Sequence, residues 1–250
     1  MREKLITRED TADRPGVEAA DHVAAARVAA MRFATVVTGV RVLGHDLPFR
    51  RVARPDDALD AAVDAETAGR DVGHPEWADL WKSAWGLIER IEASTASTVS
   101  TASPADRLDL SRTLDLGCGQ GLLGLAVGLA GGRVVMADYE LEALKLAQLN
   151  TTVVAGRRSL VQLDWHRPPL AGVFTTILGS DVVYHPPDWP ALEALWARHL
   201  APGGVVVLGE PYRATGDGFL NWIAARPWRV AVKGSRREAG VRRIELRAAG

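Results

Sequence analysis

From Thr113 onward the chain alternates between short, nearly unbroken apolar runs and longer stretches whose apolar residues recur at helical spacing. The runs fall at Thr113–Leu116, Val134–Ala137, Leu160–Leu163, Phe174–Gly179 and Val205–Leu208, and the helical stretches at Leu122–Leu129, Leu141–Leu149 and Trp189–Leu200. Gly131-Gly132 and Pro202-Gly203-Gly204 stop two of those helices. Strands that are apolar at every position are buried on both faces, so this pattern predicts an α/β, doubly wound, mostly parallel sheet. The ending differs. A helix at Phe219–Ala225 precedes two runs, Trp228–Lys233 and Arg242–Arg247, joined by a polar turn. These read as a final antiparallel hairpin, which brings the expected sheet to seven strands.

Upstream the pattern is looser. Residues 1–16 are polar and stop at Pro15-Gly16, and Val17 to Phe33 have helical spacing. Thr35–Leu43 is β-branched and alternating, and Leu47–Val52 pairs with it across Gly44-His45-Asp46. Pro55 opens an acidic helix to about Ala68, Gly69–His74 is a loop, and Pro75 opens a helix to about Glu92. On one continuous helix Trp77, Trp81 and Trp85 share a face. Ala93–Ala105 is a low-complexity Ala/Ser/Thr stretch that reads as a flexible linker. The expected organisation is an N-terminal α/β extension (1–74), a Trp-rich helix (75–92), a linker (93–106) and a Rossmann-like core (107–250).

Composition changes little in this picture. The 250 residues are 47% hydrophobic with a net charge of −1, as in an ordinary globule with no global bias toward nucleic acid or membrane. The single cysteine, Cys118, excludes an intramolecular disulfide and fits a reducing compartment. The first ten residues are too charged for a signal peptide, and no apolar run approaches eighteen residues, so the cytoplasm is the expected location. Charge is local: Pro55–Leu80 carries eight acids against Arg70, and Arg226–Arg247 eight bases against Glu238 and Glu245. The acidic run reads either as a solvated helix face or as an approach surface for a cationic substrate. The histidines show no metal-ligand spacing, and no Ser/His/Asp order marks a nucleophile.

The chemistry concentrates at Thr113-Leu-Asp-Leu-Gly-Cys-Gly-Gln-Gly-Leu-Leu-Gly124. A strand, a glycine turn and a helix make a cradle in which a ligand approaches the backbone and the helix N-terminus. Gly119, Gly121 and Gly124 spell the dinucleotide fingerprint, with Asp138 at nearly the expected distance. Read from Asp115, the pattern is acid-x-Gly-x-Gly-x-Gly through Gly117, Gly119 and Gly121, with Cys118 in the turn. Asp138 ends the second strand, where an acid accepts ribose hydroxyls or caps the next helix. Tyr139 beside it lies against a base or packs. Asp164-Trp165 ends the third strand and Ser180-Asp181-Val-Val-Tyr184 follows the fourth. Glu210 follows the fifth.

These motifs resemble the class I (seven-β-strand) methyltransferases, and within them the protein-lysine methyltransferases with an Asp-x-x-Tyr motif, including those acting on the electron-transfer flavoprotein β-subunit. The resemblance covers about Pro75 to the C-terminus, and Lys82 departs from it, standing where the family commonly has proline. It implies S-adenosylmethionine (SAM) as cofactor, held by the turn from Asp115 to Gly121, by Asp138 and Tyr139, and by Asp164, Trp165 and Ser180. The second tryptophan of the upstream helix, Trp81, borders it. Asp181 and Tyr184 stand at methyl transfer, and Glu210 lines the substrate pocket. The implied partner is a protein presenting a lysine. The rivals are a small-molecule N- or O-methyltransferase and, behind it, an NAD(P)-binding oxidoreductase; the latter leaves Asp164-Trp165 and Asp181–Tyr184 without a task. Nucleic acid as substrate would want a basic cleft.

Overall fold

The computed structural model describes residues 28–70, 75–95 and 107–249. The helix expected at Val17–Phe33, the loop at Gly69–His74 and the linker at 93–106 lie largely outside these residues. The chain divides into two compact units, Met1–Met31 and Arg32–Gly250. What is described of the first is a short turn at its end, where the Met31 N–H donates to Val28 O at 3.1 Å. The rest concerns the second.

It opens with β1 (Thr35–Val42) and β2 (His45–Val52), an antiparallel pair whose register closes at Val42↔His45. The expected turn at Gly44–Asp46 is therefore shifted to Leu43-Gly44. Both residues take positive φ, 47° and 81°, the conformation of a two-residue turn that matches the twist of the strands. His45 and Asp46 are thereby released into the ladder. Helix α1 (Pro55–Thr67) follows, then a single 3₁₀ turn at Glu76–Ala78 and α2 (Lys82–Thr95). The continuous helix expected from Pro75 is broken at Asp79–Trp81, so the three tryptophans share no helix face. Trp77 is buried against Phe33, Trp81 faces a cleft, and Trp85 lies under the Arg237 guanidinium.

The main sheet contains β3 (Thr113–Leu116), β4 (Val134–Asp138), β5 (Arg158–Gln162), β6 (Phe174–Ser180), β7 (Leu200–Glu210), β8 (Trp228–Gly234) and β9 (Arg242–Ala248). Their order is β5-β4-β3-β6-β7-β9-β8, parallel except that β9 runs antiparallel to both its neighbours. The helices between them are α3 (Leu122–Leu129), α4 (Leu141–Asn150), α5 (Trp189–His199) and α6 (Ala214–Ala224). Along β7, Val205 and Val207 join the core shared with α2, α3 and α4, while Val206 and Leu208 join the one shared with α5 and α6. That alternation is the two-sided burial the apolar runs predict. The β1–β2 hairpin packs Val40, Val42 and Phe49 into the first core. Asn150 stitches it there: its Oδ1 accepts the Arg50 N–H at 2.7 Å, and its Nδ2 donates to Arg50 O and to Gln120 O.

Two elements are longer than expected. β7 begins at Leu200 because its ladder with β6 resumes beyond an irregularity, from Thr176↔Val205 back to Phe174↔Leu200. α6 begins at Ala214, and its Gly216 is required by packing: a Cβ there would lie 2.3 Å from Glu210 Cδ.

Candidate active site

The strand order reverses at β3, whose neighbours β4 and β6 carry the chain in opposite directions, and crevices for ligands open at such a point. A cleft of about 530 Å³ lies there, beyond the carboxyl ends of β3, β4 and β6. Its walls include Trp81, Asp115, Gly117, Cys118, Gly119, Asp138, Tyr139, Asp164, Trp165, Ser180, Asp181 and Tyr184. The fold thus brings twelve sequence-predicted site residues to one cavity, and leaves out Gly121 and Glu210.

The glycine turn explains the first wall. Gly117, Gly119 and Gly121 all have positive φ, at 66°, 51° and 88°. Gly121 is the N-cap of α3, and a Cβ on it would lie 2.8 Å from Ala147 Cα, so it serves the close approach of α3 and α4. At Gly119 the space is open, the nearest atom to an added Cβ being Trp77 O at 3.9 Å. Asp138 holds this turn: its Oδ2 accepts the Gly119 N–H at 2.8 Å and its Oδ1 the Glu140 N–H at 3.0 Å. It is not the cap of α4, whose N-cap is Glu140. Burial raises the Asp138 carboxyl to about 6 despite those two bonds. Asp115 is more extreme. It is fully buried, neither carboxylate oxygen has an aligned hydrogen-bond partner, and burial raises it to about 7. Burial likewise drives the Cys118 thiol upward, which makes it inert packing in the turn.

The opposite wall comes from three separate segments. Trp81 is fixed by its indole N–H, which donates to Glu76 O at 2.7 Å. The 3₁₀ turn before it is tied to the glycine turn by Gln120, whose Nε2 donates to Trp77 O and Ala78 O at 3.3 and 2.8 Å. Asp181 and Tyr184 are three residues apart but share no helical turn. The backbone there is irregular, with Asp181 at φ 56° and its N–H donating to Gly209 O, yet both residues face the cleft. Burial raises the Asp181 carboxyl, with Ser83 and Arg213 pulling it back, and pushes the Tyr184 phenol up to about 12. Asp164 folds back on its own loop, accepting the His166 N–H at 2.8 Å, and that bond lowers its carboxyl.

Glu210 sits outside the cleft and does a different task. Buried at the end of β7, it is paired with Arg242 Nε at 2.5 Å and accepts the N–H groups of Tyr212 and Arg213. The sequence reading missed Gln120, the Arg213 behind the cleft, and two of the carboxylates that line it, Glu140 and Asp188. Glu76 and Asp79, which also line it, belong to the acidic run before Leu80. Among the described residues eight carboxylates and no lysine or arginine line the cleft. Among the described residues no group of three His, Cys, Asp or Glu is placed to hold a metal, and no helix is long and apolar enough to cross a membrane.

Known proteins agree with this architecture. A family model described as lysine methyltransferase matches residues 65–224, more than half of the chain. EEF1A lysine methyltransferase 3 of Mus musculus is 29% identical over 144 residues, 55% of this chain and 56% of that protein. Protein N-lysine methyltransferase METTL21A of Danio rerio is 37% identical over 106 residues, 39% of this chain and 47% of that protein. The ubiquinone biosynthesis O-methyltransferase of Xanthomonas oryzae pv. oryzae is 34% identical over 111 residues, 41% and 44% of the two chains. The chain thus spans about half the length of the curated relatives it matches. Among solved structures, glycopeptide N-methyltransferase MtfA complexed with S-adenosylhomocysteine gives a TM-score of 0.53 at 16% identity, covering 74% of this chain and 97% of that one. Magnesium protoporphyrin IX methyltransferase from Synechocystis PCC 6803 with bound SAM gives 0.51 at 16% identity, covering 78% and 97%. At such identities the likeness speaks for the fold, which is that of the Rossmann-like class I methyltransferases. With the strand order, the glycine turn and the family match in agreement, the chain belongs to the lysine methyltransferase family.

Proposed function

We propose that the chain is a SAM-dependent methyltransferase that transfers a methyl group to a lysine side chain of a protein. The observation that carries this reading is the charge of the cleft: among the described residues eight carboxylates and no lysine or arginine line it, with Asp115 fully buried at its base. SAM brings an ammonium and a sulfonium, and the acceptor brings a second ammonium, so both ligands are cations. A dinucleotide brings a pyrophosphate, and the Gly119 N–H that would meet it is already taken by Asp138.

The residues fit the cofactor. Asp115 would take its amino group, the Gly117–Gly119 turn its backbone-facing edge, and Asp138 the ribose hydroxyls. Asp164 and Trp165 would border the adenine, with Tyr139 at the rim and Trp81 and Ser180 near the methyl group. When bound, the cofactor supplies an electrophilic methyl carbon on a positively charged sulfur. The chain must then present a neutral amine in line with that carbon. A free lysine has a pKa near ~10.4, so its neutral form costs about 4 kcal/mol to populate near pH 7.4. Asp181 accepts an amine N–H and thereby aims the lone pair, while Tyr184, un-ionised throughout, shapes the pocket and excludes water. Such positioning contributes several kcal/mol. The single buried Cys118 suits a reducing compartment, and we place the protein in the cytoplasm.

A second reading, a small-molecule N- or O-acceptor, is favoured by the sequence match to O-methyltransferases. An ionised acceptor oxygen, however, would meet this ring of carboxylates unfavourably. Incubating the protein with labelled SAM and lysate of the native host separates the two. A labelled protein band carrying methyl-lysine by mass spectrometry is the expected result. Label in small molecules alone establishes the second reading, and NAD binding without SAM binding overturns both.

A further inference from the structure

Arg213 belongs to none of the motifs, yet its guanidinium reaches across the back of the acceptor wall. Its Nη1 lies 3.0 Å from Asp181 Oδ1, and its Cζ lies 4.9 Å from the centre of the Trp81 ring. The contact with Asp181 is a close charge pairing and not an aligned hydrogen bond; both carboxylate oxygens are buried, and Ser83 stands beside them. The Asp181 side chain is 5% exposed and that of Arg213 32%. The backbone beneath Arg213 is also pinned. The Glu210 carboxylate accepts both the Tyr212 and Arg213 N–H groups, Arg242 locks Glu210, and Tyr212 sits at φ 58°. An arginine held this way is placed, not merely present on the surface.

The charged groups facing Asp181 come from three elements: Glu76 from the segment before α2, Glu210 from the end of β7, and Arg213 from the loop after it. Tyr184 faces the same cleft as a neutral phenol. Of these, Arg213 alone is a cation. A lysine amine brought against Asp181 with Glu76 nearby would otherwise be held as its ammonium, which has no lone pair to react.

We propose that Arg213 is the charge-compensating residue of the acceptor site: paired with Asp181 across Trp81, it lets that carboxylate receive an N–H of the incoming lysine without locking the lysine in its protonated form. The inference rests on the lysine reading above. In the step concerned the ammonium first gives a proton to solvent. The amine lone pair then forms the N–CH₃ bond as the S–CH₃ bond breaks, and that electron pair stays on sulfur. Arg213 touches none of these atoms and acts through Asp181.

The test is the rate of methyl incorporation into the labelled lysate band as a function of pH, for wild type, R213Q, R213M and R213K. S-adenosylhomocysteine binding by calorimetry is the control for folding. Removing the charge should move the acidic limb of the profile up by about one pH unit. R213Q and R213M should then be about tenfold slower near pH 7 and recover to within about twofold near pH 9.5. R213K should keep the wild-type limb, and all should bind S-adenosylhomocysteine alike. A loss equal at every pH and not rescued by lysine would make Arg213 structural and overturn the proposal, as would no loss at all. A wild type that labels no protein at any pH removes the lysine reading itself, and the inference with it.

Discussion

The two walls of the cleft are built in opposite ways. The cofactor wall comes largely from one continuous strand–turn–helix, and its geometry is held by backbone groups: Gly119 and Glu140 N–H on Asp138, with Gly121 letting α3 close on α4. The opposite wall holds Trp81 and Asp181, with Arg213 joining them from behind; the three are far apart in sequence and meet through side chains. Local backbone chemistry makes the first wall a general binding device. The second depends on tertiary support, and on the proposed reading it is there that a particular acceptor would be selected. Gln120 is the seam, since it leaves the glycine turn and holds the 3₁₀ turn that ends at Trp81.

The sharpest way to break this division is Asp181→Asn. It should lower kcat by about a thousandfold, the several kcal/mol expected of lost positioning, while S-adenosylhomocysteine affinity in calorimetry stays within about threefold. A parallel loss of binding would mean that the walls do not act separately. Asp138→Asn attacks the other wall. Its amide must turn a donor toward either the Gly119 or the Glu140 N–H, and two charge-assisted bonds to the ribose are weakened. S-adenosylhomocysteine binding should fall about a hundredfold, some 3 kcal/mol at roughly 1.5 per bond.

The smallest effect is a proton count. Burial raises Asp115 to about 7 and Asp138 to about 6, so near pH 6 the free protein carries protons on both. A cationic amine at Asp115 and hydroxyl donors at Asp138 favour the ionised forms, so binding must expel protons. Calorimetry in buffers of different ionisation enthalpy should register a release of about one proton near pH 6, with affinity rising several-fold toward about pH 7.5. Proton uptake on binding would contradict this assignment of Asp115.

How much of this could be read from the chain follows the same division. The sheet was legible because strands buried on both faces are apolar at every position, and the glycine turn because its residues are neighbours in sequence. The upstream helix was misread where Asp79-Leu80-Trp81 break it: apolar spacing continues across the break, while hydrogen bonds to Gln120 hold the 3₁₀ turn apart. Glu210 was expected to line the substrate pocket. Its partner Arg242 lies in β9, and nothing local says that the two meet inside the protein. Arg213 carried no signal at all, because its meaning depends on where Asp181 and Trp81 stand.

The position of β9 also constrains how the molecule comes into being. It follows β8 in the chain but lies between β7 and β8 in the sheet, so β8 has no partner to join until β9 is in place. Arg242 arrives on that same strand. Until it does, Glu210 has no buried countercharge, and the loop that carries Arg213 lacks its anchor. A growing chain therefore carries β3 to β7 and the glycine turn before the strand that anchors the Arg213 loop is available. An intermediate caught at that stage would be expected to hold the nucleoside before it could orient an amine.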